Sequence, residues 1–562
     1  MTMFDKNSLS DWPTFTIFCA MLFCLLQLTG SSTGSAGQAS DRFIAGDRVL
    51  AVIRTPVQAD PNGEPVLAVP LPGAQGTIQD GGLEAGGAVW WRVAFDEGFT
   101  GWTREQDLQA VEAGVKAFPT AEGFGAEALG GRGGEVIEVT NLDDSGSGSL
   151  RDAIEARGPR TVVFRVGGTI TVDRPLRIRD PYITIAGQTA PGDGIMVRNG
   201  RFNTEPPMTV ETHDVVIRHL RLRPGPSAVP SCCVDALGLR RGTSDVIIDH
   251  VSLSWAVDED IGASDDARDF TVQWSIVAEA LNRSSHGKDK RHSRGMLAST
   301  RDGGNFSIHH NLFAHNAGRN PEVSMAFGSA DIVNNVVYNP GVRMIELSDH
   351  YGVPHANLVG NYYRIGKNTK RGNTKVNNHL IKARAEPNGT GGGFALFVSG
   401  NFDEIYRTDD SLPDALALIE GDRRYLVAER LAAPFVATTL AERAYADVLD
   451  QAGATLPRRD AVDQRIVGSV RDRKGRIIDH PLEVGGWPEL ASGTPPTDTD
   501  HDGMPDQWEG RFGLDLADPG DRNGDFNTNG YTNLEDYLNE LAGDIRLPPP
   551  TDSASLEPNA QR

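Results

Sequence analysis

The chain reads as an all-β protein whose main body is a parallel β-helix, and three observations predict it. Apolar, strand-like runs recur as "DVVIRHLRL" from Asp214, "DVIIDHVSL" from Asp245, "DFTVQWSIV" from Asp269, "NFSIHHNLF" from Asn305, "ADIVNNVVY" from Ala330 and "HANLVGNYY" from His355. Their spacings of 31, 24, 36, 25 and 25 residues define a loose period with insertions, the mark of a solenoid. The runs are rich in β-branched residues with no helical pattern between them, so stacked coils of strands explain them better than α/β units. Composition agrees, because 63 glycines and 7% aromatics suit short strands and many turns. Asn at the run ends, as in "HHN", "VNN" and "VGN", is expected to bond its amide to the next coil and to tolerate a left-handed backbone.

At 562 residues the chain predicts roughly two to four domains. Residues 1–39 contain the apolar run from Phe15 to Leu28 and then small polar residues, which reads as a secretory signal cut between Ala36 and Ser40, with an uncleaved anchor as the alternative. The reading places the protein outside the cytoplasm, secreted or periplasmic, with no stable membrane insertion after processing. Cys19 and Cys24 would leave with the signal, and the adjacent Cys232 and Cys233 read as two buried thiols rather than a vicinal disulfide. A formal charge of −22 argues against nucleic acid as partner and demands a locally basic site for any polyanion. Residues 41–110 alternate apolar positions between Gly-rich turns and predict a small barrel. Their "WWRV" and "GFTGW" resemble the ends of strands in the bacterial SH3-like domain. Residues 120–399 form the solenoid. Residues 400–490 lose the period, and "LAERAYADVLDQAGA" has helical spacing, which predicts a helical cover or extension packed on the solenoid's end, where it protects open strand edges.

Residues 491–543 carry calcium-loop text, and residues 544–562 read as a disordered tail. In "DTDHDGMPDQWE", Asp498, Asp500, Asp502, Asp506 and Glu509 fall at positions 1, 3, 5, 9 and 12 of a loop, with Gly503 at 6 and the Met504 carbonyl at 7. In "DFNTNGYTNLED", Asp525, Asn527, Asn529, Gly530, Tyr531, Asn533 and Asp536 repeat the offsets, with Asp in place of the usual final Glu. The pair resembles dockerin or thrombospondin-type-3-like modules, whose calcium is structural.

Three further stretches carry the solenoid's chemistry: "GFGAEALGGRGGEVIEVTNLDDSGSGSLRDAI" from Gly123, "VIIDHVSLSWAVDEDIGAS" from Val246 and "HHNLFAHNAGRNP" from His309. They resemble the pectate lyase family, polysaccharide lyase family one. The resemblance implies a right-handed parallel β-helix and calcium-dependent β-elimination of a polyuronate such as pectate-type polygalacturonate. Removing the C5 proton of a uronate requires its carboxylate to be neutralised, hence acidic ligands, a cation and a base. Asp235 matches one family calcium ligand and Asp258 or Glu259 another, with Asp260 in the same cluster; the ligand two residues before Asp235 is Cys233 here. Arg319 matches the proposed base. Its pKa exceeds about 12, so it could instead clamp the carboxylate while His292 or His315 takes the proton. From Arg283 to Asp302 six cations face two acids, and the substrate-binding lysine falls near Lys288 or Arg294. The family's second arginine is Ser324 here. The expected enzyme is a monomer. Two rivals share the solenoid: a glycoside hydrolase using paired carboxylates, and a non-catalytic glycan-binding protein.

Overall fold

The computed structural model describes residues 42–43, 48–51, 56–61, 65–70, 75–95, 99–110, 114–286, 291–341, 344–369, 381–384, 394–404, 419–420 and 425–548. The expected signal and the candidate Lys288 lie outside the described residues. Strands between Arg48 and Ala110 form a seven-stranded antiparallel sheet around Trp91, Val93 and Phe95. Among the described residues every strand pairing from Glu135 onward is parallel, and the strands stack in three ladders. Parallel crossovers of this kind are right-handed, so the body is a right-handed β-helix.

One ladder runs through Ser244–Asp249, Phe270–Gln273 and the end of Arg294–His309, with Val246 opposite Phe270 and Phe270 opposite Phe306. The inward residues of such strands make one continuous core, in which Phe270 and Phe306 stack at 4.6 Å. A second ladder contains Ile276–Ala278, Leu312–Ala314 and Val336–Tyr338, and both of its faces are apolar. Val277, Phe313 and Val337 point into the core, while Ile276, Leu312 and Val336 point outward and need cover. Helices Ala441–Gln451 and Ala461–Arg471 supply it through Val448, Ile466 and Val470. The helical cover therefore lies on the solenoid's flank, not on its end as expected, because the exposed apolar face is there.

The open N-terminal end is closed by Leu150–Glu155, whose Leu150, Ala153 and Ile154 enter the core. Its first turn is capped by the Ser149 side chain, which accepts from the Asp152 amide, and the buried Arg160 donates to the Ala153 and Ile154 carbonyls at its last turn.

At the Asn corners Asn334 does both expected jobs, donating to the Gly360 carbonyl of the next coil at 2.7 Å from a left-handed backbone, and elsewhere the two jobs fall on neighbouring residues. His310, Asn334, Gly360 and Gly400 take the left-handed backbone, with φ of 54°, 52°, 62° and 65°. The next residues, Asn311, Asn335, Asn361 and Asn401, form a buried ladder. Asn335, for example, donates to the Ile308 carbonyl at 2.7 Å and accepts from the Asn311 amide at 3.0 Å. Bridging two coils needs a side chain aimed along the solenoid axis, and the residue after the turn has that direction.

The chain is ordered past the expected boundary of 544. Asp544 accepts from Arg218 at 2.7 Å and from Thr120 at 2.6 Å, so the tail's last described turn is pinned to the solenoid. Cys232 and Cys233 are bonded to each other and exposed, which overturns the expectation of buried thiols.

Candidate active site

The third ladder, Leu237–Leu239, Glu259–Ala263, the start of Arg294–His309, the start of Glu322–Val333 and Ile345–Ser348, carries the candidate site at the N-terminal ends of its strands. Ile261 lies opposite Leu237, Arg294 opposite Glu259, Glu322 opposite Leu297, and Glu346 opposite Glu322. Successive coils are about 4.8 Å apart, so residues distant in sequence converge. Asp235, Asp258 and Glu259 bring carboxylate oxygens within 4.8 Å of one another. Two small residues make room: a Cβ at Gly262 would meet the Asp235 carboxylate at 2.3 Å, and one at Gly295 would meet the Arg319 carbonyl at 2.7 Å.

Each acid also has a cationic partner. Asp235 accepts from Arg240 at 2.6 Å and from the Glu259 amide at 3.2 Å. Asp258 meets His292 Nε2 at 2.5 Å, and Glu259 is paired with Arg319 and lies 3.7 Å from His292. These surroundings push the acids apart. Burial, then the adjacent Glu259 charge, holds the Asp235 carboxyl well above the usual range. Burial also opposes ionisation of Glu259, but His292 and Arg319 outweigh it and bring it down to about 2. His292 is held above its ordinary value, since the Asp258 and Glu259 carboxylates outweigh burial.

Arg319 sits in the left-handed region at φ 58°, just before the cis Asn320–Pro321 bond. The turn aims its guanidinium back along the ladder, where it pairs with Glu259 and, at 2.7 Å, with Glu322. The charge it meets within the chain is thus two carboxylates. Burial would weaken its basicity, but those carboxylates raise its pKa above the ordinary value. Arg294 lies beside it with a buried, unpartnered Nε, and burial together with the Arg319 charge lowers its pKa.

The structure brings Asp235, Asp258, Glu259, His292, Arg294 and Arg319 together. It separates two expected members. His315 is fully buried beneath the helical cover, between Ser469 at 2.8 Å and Asn339 at 2.8 Å, and burial lowers its pKa to about 4. It follows a strand of the flank ladder, so it faces away from the acids. Asp260 is fully buried and accepts from its own Ala256 amide at 3.2 Å, outside the acid group. Sequence reasoning missed Arg240, His286, Glu322 and Glu346. Glu322 stands three residues after Arg319 and Glu346 one coil later, so projecting the period through Arg319 would have found both.

Hard carboxylate oxygens from adjacent coils suit calcium, which accepts loose oxygen coordination. In the tail the donor set fits still better. Oxygens of Asp498, Asp500, Asp502, Glu509 and Asp521 are buried without hydrogen-bond partners. They group as Asp498, Asp500 and Asp502 and as Asp502, Glu509 and Asp521, the last unforeseen from sequence. Burial and mutual repulsion raise Asp502 to about 8 and Glu509 to about 7. Asp506 turns away and accepts from the Thr499 amide and hydroxyl at 2.7 and 2.8 Å. The Met504 side chain is buried in the tail's small core. The second loop is closed on itself: Asn527 and Asn529 donate to Asp536, and Asp525 accepts from the Asn529 and Gly530 amides, while Tyr531 lies under Arg132.

No protein-family model matches the chain. Among curated proteins it is 38% identical over 445 residues to "Probable pectate lyase C" of Aspergillus fumigatus, covering 77% of this chain and 95% of that one. To the protein of the same description in Aspergillus terreus it is 36% identical over 436 residues, covering 76% and 94%. Among solved structures, the cedar pollen allergen Jun a 1 matches with 19% identity and a TM-score of 0.41, over 59% of this chain and 92% of that one.

Proposed function

The chain belongs to the pectate lyase family and is a polysaccharide lyase; on that premise we propose that it cleaves a pectate-type polygalacturonate by calcium-assisted β-elimination outside the cytoplasm. The observation that carries the site assignment is Arg319 paired to an acid cluster contributed by consecutive coils. Asp235, Asp258 and Glu259 would hold the calcium, with oxygens completed by substrate carboxylates and water. Calcium supplies, when bound, neutralisation of the uronate carboxylate and stabilisation of charge developing beside it.

The chain's own cations do the rest. Glu259 and Glu322 hold Arg319 in its charged form, so in the resting protein it presents a cation that orients the uronate carboxylate. To accept the C5 proton, as its family position implies, Arg319 must first leave those carboxylates and release its own proton to solvent. Arg294 flanks the same face and adds positive potential for a polyanion in a chain of −22, and His292, whose pKa Asp258 and Glu259 raise, stands beside it. Export is supported by the N-terminal apolar run and by the bonded Cys232–Cys233 pair, since such bonds persist in oxidising compartments.

The test is ultraviolet absorbance on mixing the protein with polygalacturonate. Growth of the unsaturated-uronide band, lost with chelator and in Arg319→Ala, is the expected result. Chain scission without that band would favour hydrolysis, and tight binding without scission would favour a glycan-binding protein.

A further inference from the structure

We propose that Asp258, His286 and His292 form a second cation site, suited to a borderline transition metal of the zinc class, that shares Asp258 with the calcium set and places the two metals in competition. Only the competition rests on the calcium reading above. One ligand atom from each of the three side chains lies within 4.8 Å of the others. Both imidazoles place Nε2 near the same Asp258 Oδ1, His292 at 2.5 Å and His286 at 3.8 Å, and the buried His292 Nε2 makes no hydrogen bond there. The rings stack with centroids 4.4 Å apart and planes 16° from parallel, so the two nitrogens stand side by side.

The donor chemistry separates this group from its neighbour. Asp235, Asp258 and Glu259 offer only carboxylate oxygen, which suits calcium; two imidazole nitrogens and one carboxylate suit zinc, cobalt or nickel and are poor calcium ligands. Three protein ligands also leave a position open, as in exchangeable rather than structural sites.

The ligands are held from three directions. The Ser285 carbonyl, next to His286, accepts from the Ser231 amide at 2.8 Å. His292 donates its amide to the Asn282 carbonyl at 2.8 Å, and Asn282 is tied to Asp479 at 2.8 Å. Asp258 donates its amide to the Val234 carbonyl at 3.1 Å. The side chains of His286, His292 and Asp258 are 4%, 16% and 17% exposed, shielded enough to strengthen a metal bond yet open to an ion from solvent. A dication here would lie beside a calcium sharing the same carboxylate, and their repulsion sets the competition.

Cobalt(II) is the probe, because its visible d–d absorption reports nitrogen-containing, low-coordinate sites. The full-length, untagged protein is titrated with cobalt in the presence of calcium, beside His286→Gln, His292→Gln and the tail variant Glu509→Gln, each first shown to be folded by circular dichroism. We expect one equivalent of intense cobalt absorption in the wild type, displaced by zinc, with affinity weakened by more than about 100-fold in either histidine variant and retained in Glu509→Gln. Zinc should raise the calcium concentration needed for half-maximal lyase activity several-fold in the wild type and not in His286→Gln. Absence of the band, or a band indifferent to both histidines, overturns the site. A histidine-dependent band with no change in calcium demand overturns the sharing of Asp258. A histidine-dependent band on a protein that cleaves no uronate polymer supports the site and removes the lyase reading instead.

Discussion

At the scale of single residues, the candidate site is governed by what Arg319 is paired with. Its two carboxylates keep the guanidinium protonated, so Arg319→Lys, which keeps the charge but loses the planar fork, is expected to lose most activity, and Arg319→Ala about a thousand-fold or more. The unsaturated-uronide assay checks both. If Arg319 accepts the proton, kcat climbs with pH into the alkaline range; if it only clamps, kcat is flat there. Away from the site, His310 and His315 are buried rings whose pKa falls to about 4. Unfolded, each titrates near 6.5, so between those values the unfolded chain binds the extra protons. Stability is therefore full above the unfolded value and is lost as pH falls from about 6.5 to about 4, by roughly 3 kcal/mol per ring. Urea unfolding at several pH values should show that loss, and His315→Gln should shrink it. The grouping of Asp235, Asp258, Glu259 and Arg319 was legible because their motifs sit on consecutive coils. His315 and Asp260 stand outside that group, since adjacency in sequence does not say which way a side chain leaves the coil.

At the scale of elements, the flank ladder shows how burial on two faces dictates a partner. "IVA", "LFA" and "VVY" read as fully apolar strands, and the outward residues Ile276, Leu312 and Val336 leave the solenoid no choice but to be covered. Ile466→Ala, which removes the centre of that contact, is expected to cost about 2–4 kcal/mol and to lower the thermal midpoint without changing the assay's pH profile. Asn335→Ala strands the Ile308 carbonyl and the Asn311 amide together, each costing about 1–3 kcal/mol. The helices themselves were visible in their spacing. Their position was not, because helical periodicity records that a face is buried but not what buries it.

At the scale of the molecule, the tail acts as a staple on the first coils. Arg132 bonds Glu535 at 2.8 Å, Arg218 bonds Asp544 at 2.7 Å, and Met504, Trp508 and Leu534 share a small core with Ala186 and Val136. The uncompensated oxygens of Asp498, Asp500, Asp502, Glu509 and Asp521 repel unless a cation joins them, so calcium removal should loosen this docking. Calorimetry is expected to show a calcium-dependent rise in thermal midpoint that is reduced in Glu509→Gln and in Asp521→Asn. Equal shifts in wild type and variants would assign the effect to the active-site acids. The sequence by itself determined the parallel coil, the family and most of the acid cluster, because each is written as a local pattern: a strand period, a motif, a loop with acids at set offsets. Only the tertiary structure decided that the helices lie on the flank, that Asp521 joins the first tail loop, that Asp544 is pinned to Arg218, and that His286 and His292 meet over Asp258. Those are contacts between segments far apart in the chain, and no local spacing encodes the direction from which a distant segment returns.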